Sequence, residues 1–158
     1  MSTLSIINFH GVGPITRNID DGERDCWIET DFLKRILDLV TDYPQVAITV
    51  DDGNASDLNY LLPELSNREL KATFFLCSGK LNTDTYLSLK DAQELIKAGM
   101  KIGSHGKAHR SWRRLQTAEL EDEIINSKIY LEKNLSTEIT SAACPFGIYD
   151  RKSLTILR

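Results

Sequence analysis

Two short stretches of this 158-residue chain bring together residue types that can do chemistry jointly. Asp51 and Asp52 close the apolar run Ile48-Thr49-Val50 ahead of Gly53. His105 and His109 stand four residues apart in Ser104-His105-Gly106-Lys107-Ala108-His109. Two imidazoles and one carboxylate form the ligand set of a catalytic divalent-metal site that leaves a coordination position open to water. A second carboxylate beside them offers a general base. The chain has only 3 histidines, so a close pair of them weighs toward a hydrolytic metal centre. Each signal alone is weak. Asp-Asp-Gly suits any strand-to-helix turn, and residues i and i+4 share a helix face whether or not they bind anything.

Other positions could join this set. His10, after the first strand, either lines the same face or caps the strand. Trp112, followed by Arg113 and Arg114, either offers an indole face to a sugar or packs over the start of the next helix. Cys144, before Pro145, has no adjacent base and reads as a small buried hydrophobe rather than a nucleophile.

The elements that must position these residues alternate along the chain. Strand-like runs cover 4–9, 46–50, 72–77, 100–103 and 139–144. Between them lie helical stripes. Thr30 is expected to cap Phe32, Leu33, Ile36, Leu37 and Val40. Ser56 precedes Leu58, Leu61, Leu62 and Leu65, with Pro63 as a break. Ser88 and Asp91 form a capping box ahead of Leu89, Ala92, Leu95 and Ile96, and Gly99 is the stop. Thr117 opens the longest helix, with Leu120, Ile124, Lys128, Leu131 and Leu135 on one side. Asp150 starts another. Strands followed by helices imply parallel pairing with helical crossovers, hence an α/β sheet or barrel. Asp51 and Asp52 follow one strand, His105 another and Pro145-Phe146-Gly147 a third. Sites in such folds sit where the C-terminal strand ends converge.

Composition narrows the class. Hydrophobic residues make up 41% and charged residues 27%, as in an ordinary globular protein, and the length suits one domain over 1–158. A formal net charge of -4 argues against nucleic acid as a partner. No apolar run approaches the roughly 20 residues that span a bilayer, so no membrane partner is expected. The first ten residues lack a basic start and a long apolar core, and three cysteines without C-x-x-C spacing argue against a disulfide framework. A cytoplasmic location is expected.

The motifs together resemble the polysaccharide deacetylase family of carbohydrate esterases. Thr49-Val50-Asp51-Asp52-Gly53 resembles the family's first motif, and Lys71-Ala72-Thr73-Phe74-Phe75-Leu76 its following strand. Gly99-Met100-Lys101-Ile102-Gly103-Ser104-His105 resembles the approach to its histidine motif, and Ala142-Ala143-Cys144-Pro145-Phe146-Gly147 its third motif. The resemblance implies an irregular (β/α) barrel, incomplete here because the last strands would lie past Arg158. It implies one divalent metal, zinc first, with cobalt or manganese as alternatives, held by Asp52, His105 and His109. Asp51 becomes the general base, and the Phe146 N–H, beside Pro145, helps hold the oxyanion. His10, Trp112 and Pro145 are the expected substrate contacts. The substrate would be an acetylated sugar or polysaccharide losing acetate. The alternatives are a metal- or sugar-binding pseudoenzyme and a C–N hydrolase of small amides on the same fold.

Three departures from the family pattern carry expectations. Gly106 stands where a Ser or Thr usually steadies the histidine loop. Ala143 stands where an Arg usually pairs with the base, so tuning of Asp51 is expected from Arg110 or Arg113, or is absent. The family's general-acid histidine would lie beyond the chain end, and the third histidine here, His10, is at the other end. Little turnover is therefore expected. Open sheet edges are expected to pair in a homodimer or to leave the chain marginally stable.

Overall fold

The computed structural model describes residues 5–19 and 22–158. Its strands are β1 (Ser5–Phe9), β2 (Gly11–Val12), β3 (Trp27–Ile28), β4 (Val46–Asp52), β5 (Ala72–Leu76) and β6 (Lys101–Ser104). The helices are α1 (Thr30–Val40), α2 (Leu62–Asn67), α3 (Leu89–Lys97), α4 (Thr117–Glu121), α5 (Ser127–Leu135) and α6 (Arg151–Ile156). One parallel sheet runs in the order β1-β4-β5-β6. This is the expected α/β architecture, and the barrel is incomplete. Among the described residues β1 forms one margin, and beyond β6 there is a single bridge from Ser104 to Ala142.

Alternation in the strands sorts the two sides of the sheet. Phe9, Ile48, Val50, Phe74, Leu76 and Ile102 pack into one core with Leu33, Leu37, Leu65, Leu95 and Leu131 from the helices. Each fully buried leucine among them contributes about 1.5–3 kcal/mol of transfer free energy. Asn8 and Thr49, hydrogen-bonded to each other at 3.0 Å, lie on the opposite side. Gly103 belongs to that side too. The Phe75 ring lies 2.4 Å from where a Cβ on residue 103 would stand, so only glycine lets β5 and β6 keep this register.

Local signals explain most boundaries. Ser88 and Asp91 make the reciprocal capping box of α3, and Gly99 ends that segment at φ +80. Pro63 sits in the first turn of α2, where a missing N–H costs nothing, directly after a π turn at Asp57–Leu61. Asp150 caps α6 by accepting from the Ser153 amide.

Several expectations need correction. Thr30 is the first residue of α1 rather than its cap; Glu29 holds the cap position without a side-chain bond. The strand expected over 139–144 shrinks to the Ser104 bridge, with Ser104 N donating to Ser141 O at 3.0 Å and Ala143 N to Ser104 O at 2.9 Å. Pro145 has no N–H for the ladder and Phe146 turns left-handed at φ 58, so the chain leaves the sheet there. Both aspartates belong to β4, which runs two residues further than expected. Leu4, assigned to the first strand, lies outside the described residues. The paired β2 and β3, two residues each, are too short to show a period.

Candidate metal centre

Parallel register places the site. Phe9 pairs with Val50, Asp52 with Leu76 and Leu76 with Ser104, so His10, Asp51, Asp52 and His105 all emerge at one edge. They line a cavity of about 600 Å³ together with Asn8, Lys80, His109, Cys144 and Phe146. Adjacent residues of a strand normally point to opposite faces, yet Asp51 and Asp52 both reach this cavity. The backbone of Asp52 is the reason: at φ +78 it breaks the alternation, and Gly53 follows at φ +75. A non-glycine residue held there costs about 1–3 kcal/mol, a strain typical of working sites.

Asp52, His105 and His109 present ligand atoms that all lie within 4.8 Å of one another. Asp52 Oδ1 is 3.6 Å from His105 Nε2 and 3.2 Å from His109 Nε2. Three ligands about 2.1 Å from a tetrahedral ion stand about 3.4 Å apart, so the residues fit a divalent cation. Asp52 Oδ1 is buried and makes no hydrogen bond, which leaves its lone pairs for such an ion. The imidazoles are prepared for the same role. His105 Nδ1 donates to the Ala143 carbonyl at 3.0 Å, which turns its Nε2 lone pair toward Asp52. Burial, opposed by the Asp52 charge, lowers the His109 pKa to about 4 and keeps the ring in its neutral, ligating form.

Asp51 lies beside this triad with one oxygen occupied and one free. Its Oδ2 accepts from Asn8 Nδ2 at 3.0 Å and lies 3.9 Å from His10 Nε2, while Oδ1 is buried without a hydrogen bond. The expected arginine partners do not reach it: Arg110 pairs with Glu119 at 2.9 Å, and Arg113 is exposed and outside the cavity lining. Asn8 on β1 and His10, just after it, stand there instead. His10 itself is held by Asn54, whose Nδ2 donates to the His10 carbonyl at 2.9 Å. Asn54 in turn accepts from Arg17, whose guanidinium sits between the Trp27 and Tyr86 rings and pairs with Glu23.

Other expectations divide. Phe146 is 64% exposed on the cavity wall, its ring 4.5 Å from that of His109. Cys144 also lines the cavity; burial raises its thiol pKa, as in a packing residue. Pro145 is buried beneath it. Trp112 is a correction: at 0% exposure it packs with Leu120 and Ile124, so its indole offers no face to a sugar. The His-x-x-x-His spacing does not lie on a helix either. The segment is a loop with Gly106 at φ +80 and His109 at φ +55, and the two rings converge because the chain curls.

Asn8 and Glu123 are among the residues that escaped the sequence reading. Asn8 alternates with the apolar positions of β1 and looks like any solvent-facing polar residue. Glu123 interrupts the buried stripe Leu120, Ile124, Ser127 and Leu131, a charged residue on an apolar helix face, and that interruption was a usable signal.

The family model for polysaccharide deacetylases matches residues 38–158, and the chain belongs to that family. Among solved structures it is similar to the deacetylase PplD of Streptococcus pyogenes, determined with acetate: TM-score 0.85, 21% identity, 98% of this chain and 78% of that one. It is also similar to IcaB of Ammonifex degensii, with a TM-score of 0.82, 20% identity and the same coverage of 98% and 78%. A curated relative, the bifunctional xylanase/deacetylase of Pseudobutyrivibrio xylanivorans, is 28% identical over 79 residues, which is 50% of this chain. The chain spans 13% of that relative's length.

Proposed function

We propose that this chain carries the centre of a metal-dependent hydrolase that removes acetyl groups from an acetylated sugar or polysaccharide. One observation carries the reading. A carboxylate with a free buried oxygen, Asp51, stands at one cavity with a ligand triad of Asp52, His105 and His109. Family membership and the acetate in the PplD structure support it.

Asp52, His105 and His109 would hold a divalent ion, zinc first, which would supply Lewis acidity to the acetyl carbonyl and to water. The protein's own groups do the rest. Asp51 Oδ1 takes the proton of the attacking water, with Oδ2 pinned by Asn8. The Phe146 amide donates to the oxyanion as the carbonyl carbon becomes tetrahedral. His10 is the imidazole left over once two histidines serve as ligands, and it faces the same cavity. It donates the proton that lets the sugar nitrogen or oxygen leave. His10 reaches this position because β1 is hydrogen-bonded beside β4. The pseudoenzyme alternative drew on the absence of an acid histidine, and His10 at the cavity weighs against it.

Incubation of the chain with zinc and N-acetylated chitooligosaccharides or acetylated xylan tests the reading. Acetate release that a chelator abolishes and zinc restores is expected. Failure to release acetate from either class would refute it.

A further inference from the structure

A loop that curls two imidazoles onto one carboxylate without helical hydrogen bonds needs support from elsewhere, and the support here is buried. Glu123 is 3% exposed within the π turn Asp122–Asn126 that joins α4 to α5. Its Oε2 accepts from the Lys107 amide at 3.0 Å, and both oxygens accept from the Ala108 amide at 3.2 Å. The preceding peptide is gripped as well. Ser127 Oγ donates to the Gly106 carbonyl at 2.8 Å, and the Gly106 amide donates to Ser104 Oγ at 3.2 Å. From β5's end, Ser78 N donates to Gly106 O at 3.0 Å and Gly79 N to Lys107 O at 2.9 Å.

We propose that Glu123 is a positioning residue for the metal centre, setting the His105–His109 separation through the amides of Lys107 and Ala108; the proposal rests on the reading of Asp52, His105 and His109 as metal ligands. Gly106 follows from it. A Cβ at that position would stand 2.8 Å from Glu123 Oε2 and 3.1 Å from Trp112 Nε1, so a side chain there would push the Glu123 carboxylate from its present place. Glu123 therefore steadies the loop where a hydroxyl at residue 106 cannot. Glu123 touches neither imidazole; it acts only through backbone. A carboxylate suits the task because both its oxygens accept from backbone amides here. The π turn matters too, since such insertions recur at functional sites.

Two readouts on the full chain test this, using Glu123→Gln and Glu123→Ala, with exposed Glu121→Ala as control. The first is Co²⁺ affinity, by competition with a chromophoric chelator. A loss of about tenfold or more is expected in both Glu123 variants and none in the control. The second is hydrogen exchange at the Lys107 and Ala108 amides in the metal-free chain, where faster exchange is expected while β4 and β5 amides stay protected. Faster exchange confined to the loop together with weakened Co²⁺ binding supports the role. Unchanged affinity, or loop amides that stay protected, overturns it. Exchange that rises across β4 and β5 to the same extent makes Glu123 a general stabiliser and also overturns it. If the wild-type chain takes up no Co²⁺, the metal reading fails, while amide exchange still decides whether Glu123 holds the loop.

Discussion

Neighbouring side chains of like chemistry acquire different roles at this site through what surrounds each one. Asp52 Oδ1 faces two imidazole nitrogens, whereas Asp51 is held by Asn8 and has one oxygen free. Asp51→Asn is therefore expected to cut acetate release by about 10² or more while leaving metal affinity within a few-fold. Parallel turnover and chelator-competition assays check this, and near-normal turnover in the variant would remove Asp51 from the mechanism. His10 makes a different prediction. If it protonates the leaving group, His10→Gln should slow release from an N-acetyl sugar, whose amine leaves poorly, by about 10²-fold. The same change should leave 4-nitrophenyl acetate hydrolysis nearly untouched, because nitrophenolate needs no proton to depart. Equal losses on both substrates would assign His10 to holding Asp51 instead.

At the level of elements, strand ends aim the chemistry and helix ends hold the strands in place. The capping box of Ser88 and Asp91 satisfies amides at the start of α3, so Ser88→Ala should cost about 1 kcal/mol, read as a lower midpoint in urea unfolding. The π turn after β4 carries a less ordinary group. Asp57 is sealed from solvent, and burial first, then the Asp52 charge, pushes its pKa well above the ordinary 3.8. The folded chain then keeps a proton that the unfolded chain has lost. Stability from this group is full below 3.8 and falls as pH rises through the folded value. Asp57→Asn stays neutral at every pH. Its melting temperature relative to the wild type should rise between about pH 5 and pH 8, and a constant difference across that range would refute the buried neutral acid.

At the scale of the whole molecule, the sheet of the described residues remains open, and apolar surface lies beside it. Ile6 on β1 is 57% exposed, and Ile129 and Leu154 are 54% and 41% exposed. A second cavity runs along the β6 margin, lined by Ile125, Ile129, Ile139, Ile156 and Leu157. Unpaired strand groups beside such residues favour association. The 158-residue chain is expected to sediment as a dimer or larger species at micromolar concentration, and a stable monomer would refute this. No helix among the described residues is long and apolar enough to cross a membrane.

The alternation of strand and helix patterns, the two motifs at the ends of β4 and β6 and the Asp, Asp, His, His set were legible because they are local in sequence. Periods of two and near four, capping residues and glycine stops act over a few residues, and Ser88, Gly99 and Asp150 do in the fold what their types foretell. What depended on neighbours far along the chain was not legible. His10 and Asp51 are forty-one residues apart and meet only because β1 lies beside β4 in register. Trp112 turned inward because Leu120 and Ile124 offered it a dry pocket, a choice no indole makes alone. His105 and His109 converge through a curled loop rather than a helix, since the Lys107 and Ala108 amides bond to Glu123 and the Gly106 amide to Ser104 Oγ. Residue types set which chemistry the chain could perform; strand order and buried partners decided which atoms face each other, because contact distances depend on packing between distant segments.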